Sequence, residues 1–212
     1  LAAARRIVES DKFTRAGKYE SWSPTLLLGR SVAGKTLGII GAGRIGRAVA
    51  KRSIGFDMKV LYHNRKRDPD LERELKARWV DKETLLKESD FISLHVPLTD
   101  ETRHMIGRRE FEVMKDTAVL VNTSRGPVVD EKALVEALRK KLIWAAGLDV
   151  YEREPEIEEG LKELDNVVLA SHIGSATIEA RTSMAMMAAQ NIVSVLKGGK
   201  PITPVNEITV KG

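Results

Sequence analysis

The 212-residue sequence contains no cysteine. Disulfides, thiolate nucleophiles and cysteine metal sites are therefore excluded, and a reducing compartment is the expectation. No uninterrupted apolar run is long enough to cross a bilayer. The opening stretch, LAAARRIVESDKF, reads as a short helix without the apolar core of a signal peptide, so a cytoplasmic location is the default. A long basic run is also missing. The chain carries 35 basic and 30 acidic residues, net charge +5, but the signs interleave, as in LERELKARWVDKE. Such a surface is solvated with local patches and is not a nucleic-acid arm. There is no internal repeat and no low-complexity segment, and no spacing of histidines and acids suits a metal.

What is present is a globular composition, 42% hydrophobic and 31% charged. Short apolar runs at 36–41, 59–63, 91–96, 118–122, 145–150 and 167–170 read as strands, with a weaker one at 78–80. Most are continuously apolar, as strands buried on both faces of a parallel sheet are. Helical patterns fit between them. Residues 44–54 place Ile45, Ala48, Val49 and Ile54 on one face, and Gly55 ends the pattern. Asp130 caps a helix with the stripe Ala133, Leu134, Ala137 and Leu138. Thr177 caps a long last helix carrying Met184, Met187, Ala188, Ile192 and Val195, closed by Gly198 and Gly199. The alternation of strand and helix predicts an α/β fold with a doubly wound parallel sheet. Residues 13–33 read as an arm or loop, and 200–212, with Pro201 and Pro204, as an extended tail.

GAGRIG places Gly41, Gly43 and Gly46 in the spacing G-x-G-x-x-G, between a strand and an amphipathic helix. Gly41 permits the tight turn, Gly43 the approach of a pyrophosphate, and Gly46 close packing of the helix on the sheet. The helix start supplies free N–H groups and a positive dipole for phosphates. The second strand of such a unit ordinarily ends in an acid that binds the ribose hydroxyls of NAD. Here VLYHNRKR ends in Asn64, Arg65, Lys66 and Arg67, and the first acid is Asp68. Arg65 offers a forked guanidinium to phosphate, Asn64 a donor, Lys66 a further charge, and Arg67 reads as solvated. The turn predicts NADP, with NADPH preferred, while an acid-free site still accepts NAD.

Arg125, Glu154 and His172 each follow a candidate strand, in NTSRGPVVD, GLDVYEREP and ASHIGSAT. The C-terminal ends of parallel strands form the binding crevice, so the three are expected to converge. Their types suit hydride transfer to a 2-oxo acid. His172 protonates the ketone oxygen, Glu154 orients it and favours its charged form, and Arg125 holds the substrate carboxylate. Taken singly, each has a bland alternative: Glu154 as one surface acid among several, His172 as a cap, Arg125 as structural. Asp149 lies in an otherwise apolar strand and needs a partner, either the cofactor carboxamide or a backbone N–H. Val96 and Pro97, with His95, follow another strand and are expected to line the cofactor cleft. His95 reads as structural, and His63 and His104 as incidental.

GKTLGIIGAGRIGRAVA, LHVPLTDETRHMI, NTSRGPVVDEKALVEAL, AGLDVYEREP and HIGSAT together resemble the D-isomer-specific 2-hydroxyacid dehydrogenases, with the nearest likeness to glyoxylate/hydroxypyruvate reductases. The resemblance implies a Rossmann-type domain. It implies His172 as acid/base, Glu154 as its partner and Arg125 as substrate anchor. It also implies cofactor contacts at Arg44, Ile45 and Gly46, at Asn64 to Lys66, at Thr123, Ser124 and Arg125, at Asp149, and from His172 to Gly174. Ser171 replaces a usual proline and Tyr151 a common phenylalanine, neither expected to touch the chemistry.

The family carries an N-terminal substrate domain of roughly a hundred residues. This chain starts at Leu1, not Met, and is expected to lack most of that domain, to bind cofactor and to turn over poorly. The implied division is 1–33 as N-terminal helix and dimerisation arm, 34–175 as dinucleotide-binding domain, and 176–212 as a helix and tail that pack on the substrate domain. A homodimer is implied, with Trp22 reaching the partner's active site. The implied reaction is NAD(P)H-dependent reduction of glyoxylate or hydroxypyruvate. NAD-linked D-lactate or D-3-phosphoglycerate dehydrogenases and nucleotide-sensing corepressors are the alternatives.

Overall fold

The structure is a computed structural model and describes residues 1–206. It divides into two compact units, one of residues 1–172 and one from Ile173 onward. The first holds a seven-stranded sheet made of β1 (Thr36–Ile40), β2 (Lys59–His63), β3 (Arg78–Trp79), β4 (Phe91–Leu94), β5 (Val119–Asn122), β6 (Ala145–Leu148) and β7 (Val167–Leu169). The order is β3-β2-β1-β4-β5-β6-β7, and every neighbouring pair is parallel. The sheet runs outward in one direction from β1 and in the other from β4. That is the doubly wound, Rossmann-type arrangement, with its switch point between these two strands.

The helices are α1 (Ile7–Arg15), α2 (Arg44–Ser53), α3 (Pro69–Leu75), α4 (Lys82–Glu88), α5 (Arg108–Val113), α6 (Glu131–Arg139), α7 (Glu159–Lys162) and α8 (Ile178–Leu196). Parallel strands need such crossovers. Successive residues of each strand point to opposite faces and feed two cores. Ile40, Leu61, Ile92, Leu120 and Ala146 join Leu85, Phe111 and Leu134 from α4, α5 and α6. Ile39, Val60, Tyr62, Phe91, Val119 and Ala145 join Ala50 of α2, Leu71 of α3 and Ala4. Burial on both faces explains the unbroken apolar runs.

Several expected boundaries shift. Strands β1, β4, β6 and β7 stop one or two residues early, because the chain turns into the crevice before the apolar run ends. The N-terminal helix begins only at Ile7, after Arg6 adopts a left-handed conformation. The buried face of α2 is Gly46, Ala50 and Ser53, not the expected Ile45 and Ile54, which are exposed. Residues 13–33 form no regular structure after α1 ends at Arg15. The N-terminal stretch nonetheless belongs to the first unit. Ala4 is fully buried, its carbonyl accepts from Arg30 N at 2.8 Å, and the Arg30 guanidinium lies 4.4 Å from the Trp144 ring.

In the second unit Thr177 caps α8, accepting from Ala180 N at 3.1 Å. Asn191 ties the following segment back to α8 through Thr203, at 2.9 and 3.0 Å. Of the expected tail 200–212, residues 207–212 lie outside the described residues. Among the described residues no helix is long and apolar enough to cross a membrane.

Candidate active site

Because every strand is parallel, Gly41, Asn64, His95, Thr123, Asp149 and Ala170 all stand at one edge of the sheet. At the end of β1, Gly41 has φ +94, and a Cβ there would lie 2.7 Å from the His95 carbonyl carbon. Its N–H donates to His63 O at 3.0 Å, and Ala42 N donates to Asn64 Oδ1 at 2.7 Å. The glycine turn is therefore clamped by the end of β2. Gly46 lets α2 sit against this turn, since a Cβ there would be 2.4 Å from Gly41 O. At Gly43, the residue before α2, a Cβ would meet no protein atom within 4 Å. No side chain caps the helix, and no acid stands in its first turn. The three glycines thus have the geometry that a dinucleotide turn requires, and the start of α2 keeps N–H groups without a side-chain cap.

A cleft of about 890 Å³ runs along this edge, lined by Gly41, Gly43, His63, Asn64, Arg65, Lys66, His95, Val96 and Pro97. A second groove shares Gly43 and His95 and adds Arg44 and Ile45. His63, read as incidental, is a wall of the cleft, its Nδ1 3.0 Å from Val80 O. His95 Nε2 lies 2.8 Å from Ser93 Oγ, and burial holds its imidazole below the ordinary value.

The basic turn after β2 is shaped by Tyr62, whose hydroxyl takes Asp68 N at 2.7 Å and donates to Glu72 at 2.8 Å. Asp68 caps α3 by accepting from Leu71 N at 3.0 Å and pairs with Arg47 at 2.7 Å. These bonds hold its carboxyl below the ordinary range and commit it away from the cleft. Arg67 is solvated as expected, its side chain 65% exposed, and it also bonds Glu72 at 2.7 and 3.0 Å. Among the described residues Arg65 and Lys66 make no ion pair.

Asn122, 1% exposed at the end of β5, builds the next turn. Its Oδ1 accepts from Ser124 N and Oγ at 3.1 and 2.9 Å, and its Nδ2 donates to Arg125 O at 2.9 Å. Thr123 and Arg125 are exposed on this turn, and Arg125 also donates to Ser124 O at 2.6 Å. Beyond β6, Asp149 is buried, and its N–H donates to Asn122 O at 3.0 Å.

Glu154 Oε2 lies 2.9 Å from His172 Nδ1, and Glu154 Oε1 accepts from Tyr151 N at 3.0 Å. The His172 bond is the main cause that holds the Glu154 carboxyl below its ordinary range, with Arg125 adding to it. An ionised Glu154 accepts a hydrogen bond from His172 Nδ1–H, which leaves Nε2 unengaged by Glu154. Gly174, expected beside the cofactor, belongs to the second unit.

Two residues take part in contacts that the sequence alone did not disclose. Tyr151, not expected to touch the chemistry, donates its backbone N–H to Glu154 and its hydroxyl to Ala170 O at 2.6 Å. His104, read as incidental, pairs with Glu152, whose other carboxylate oxygen accepts from Glu131 N at 3.1 Å.

Residues 1–174 match the model of the D-isomer specific 2-hydroxyacid dehydrogenase NAD binding domain. A glyoxylate reductase of Thermococcus litoralis is 56% identical over 211 residues, covering 98% of this chain and 64% of that protein. The solved glyoxylate reductase of Paecilomyes thermophila is 42% identical with TM-score 0.86, covering 96% of this chain and 61% of that one. D-lactate dehydrogenase of Lactobacillus jensenii, solved with NAD+, is 31% identical with TM-score 0.83, covering 97% and 65%. The chain thus spans about 64% of the length of the curated relatives it matches. A parallel sheet wound about a glycine turn, and a family match over residues 1–174, lead to one conclusion: the chain belongs to the D-isomer specific 2-hydroxyacid dehydrogenases and carries their NAD binding domain.

Proposed function

We propose that this chain acts in the reduction of a small 2-oxo acid, glyoxylate or hydroxypyruvate, to the D-2-hydroxy acid. The observation that carries this reading is the 2.9 Å contact between His172 Nδ1 and Glu154, beside Arg125 at the same sheet edge. A reduced nicotinamide cofactor supplies the hydride when bound. The ketone oxygen gains negative charge as hydride arrives and must take a proton. His172 gives that proton from Nε2, and Glu154 stabilises the imidazolium and fixes the ring. Arg125 binds the substrate carboxylate through its fork and draws charge from the carbonyl. Positioned proton transfer of this kind contributes about 10²–10⁴-fold.

The cofactor is NADPH in preference to NADH. Among the described residues Arg65 and Lys66, which line the cleft, make no ion pair, and Asp68, the first acid after β2, is held by α3 and Arg47. Gly41, Gly43 and Gly46 with Arg44 and Ile45 cradle the pyrophosphate. Asn64, Arg65 and Lys66 take the 2′-phosphate. Val96, Pro97, Thr123, Ser124 and Asp149 complete the contacts within the first unit. A homodimer through residues 1–33 accompanies this reading, because Trp22 is 79% exposed at the arm. Sedimentation showing a monomer at micromolar concentration overturns the dimer.

Single-turnover reduction, with protein in excess over cofactor, tests the function. Glyoxylate, hydroxypyruvate and pyruvate are each offered with NADPH and with NADH. Consumption of NADPH by glyoxylate or hydroxypyruvate is the expected result. No cofactor oxidation with any 2-oxo acid contradicts it.

A further inference from the structure

We infer that Tyr151 is a positioning residue that holds His172 and Glu154 in register, by its backbone N–H on one side and its phenol hydroxyl on the other. The inference rests on the reading of His172 and Glu154 as the proton-donating pair. Tyr151 N donates to Glu154 Oε1 at 3.0 Å, and its hydroxyl donates to Ala170 O at 2.6 Å. Ala170 stands two residues before His172, whose Nδ1 lies 2.9 Å from Glu154 Oε2. The contacts close a ring through Tyr151, Glu154, His172 and Ala170. A single residue therefore touches both arms of the pair, one from β6 and one from β7.

The bracket is rigid. The Tyr151 side chain is 6% exposed and packs in the main core. Burial, with Asp149, Glu131 and Glu154 nearby, holds the phenol above its ordinary value, so it stays a donor. The same segment is fastened from outside. Glu131 Oε1 accepts from Glu152 N at 2.9 Å, and Glu152 returns the bond to Glu131 N at 3.1 Å. Gly126, next to Arg125, lies so close that a Cβ there would be 1.9 Å from the Tyr151 carbonyl carbon.

The bracket matters because His172 has φ 57, the left-handed region that non-glycine residues occupy only when their surroundings impose it. Ala170 N donates to Leu148 O at 2.8 Å, and Ala170 O takes the Tyr151 hydroxyl. Among the described residues, Ala170 is the last backbone unit before His172 that is tied to another element. Removing the hydroxyl leaves Tyr151 packing and its N–H in place. It frees the approach to His172.

Imidazole nitrogen NMR on the 212-residue chain reads this without any turnover, at a pH where the rings are neutral. In the wild type His172 should carry its proton on Nδ1, facing Glu154. Tyr151→Phe should raise the Nε2–H population of His172 several-fold and leave His63 unchanged. A packing role alone would lower the melting temperature without moving the tautomer. Glu154→Ala is the control for the pair. If Glu154→Ala leaves the His172 tautomer as in the wild type, the pairing itself fails. If Glu154→Ala releases it and Tyr151→Phe does not, the positioning role of Tyr151 alone is overturned. Should Tyr151→Phe not fold by circular dichroism, Tyr151→Met, which also fills the site without a hydroxyl, is judged by the same criterion.

Discussion

Among the described residues no acid pairs with Arg65 or Lys66 at the end of β2, while Arg67 beside them bonds Glu72. Two of three adjacent cations are thus left facing the cleft. Hydrogen bonds to charged groups contribute about 1.5–3 kcal/mol, so a lost Arg65–phosphate contact should weaken NADPH binding roughly tenfold or more. Arg65→Ala should leave NADH within about twofold, since that cofactor has no 2′-phosphate. Fluorescence titration of wild type and variant with both cofactors checks this, and equal losses for the two would remove the selector role.

The composition of this turn was readable in the sequence, but the division of labour within it was not. Arg67 and Asp68 are withdrawn by Glu72, Arg47 and the α3 cap, partners fixed only once α2 and α3 pack together. The hydroxyl of Tyr151 and the amide of Asn122 were hidden for the same reason. Their bonds serve turns that the fold brings together, in one case from 19 residues away.

At the scale of elements, the strands were legible because burial on both faces leaves continuous apolar runs. Their ends were not, since the apolar run outlasts the pairing where the chain enters the crevice. Helix α2 misled for a different reason. Its buried face is built of Gly46, Ala50 and Ser53, small residues that allow close approach to the sheet and carry little hydrophobic signal. Ile45 and Ile54, the larger residues, point away. Caps were legible, because a short polar side chain before an apolar stripe has few other uses. Asp130 accepts from Ala133 N at 3.0 Å at the start of α6, the helix that also carries Glu131. Asp130→Ala should cost about 1 kcal/mol of unfolding free energy, measured by urea denaturation with an unchanged slope. No loss would mean that the cap is redundant with the α6 packing.

At the scale of the first unit, Asp90 is one of several carboxylates that add acid sensitivity, and it joins the start of β1 to the segment before β5. Burial alone would raise its carboxyl, but Thr36 N–H at 2.9 Å and Lys115 at 2.9 Å outweigh that and hold it below the ordinary 3.8. A group whose folded value is depressed stabilises fully above its unfolded value. That stabilisation is lost as pH falls through the folded value. Melting temperature should therefore drop as pH falls below about 4. Asp90→Asn should be less stable at neutral pH and show a shallower acid decline. An identical decline in the variant would assign the effect to other carboxylates.

In the proposed reaction His172, oriented by Glu154, delivers the proton to the 2-oxo acid. Single-turnover glyoxylate reduction by His172→Gln, with NADPH binding measured on the same sample, tests it most directly. NADPH affinity should stay within about twofold of wild type while turnover falls about 100-fold or more. Turnover equal to wild type with the cofactor bound would contradict it.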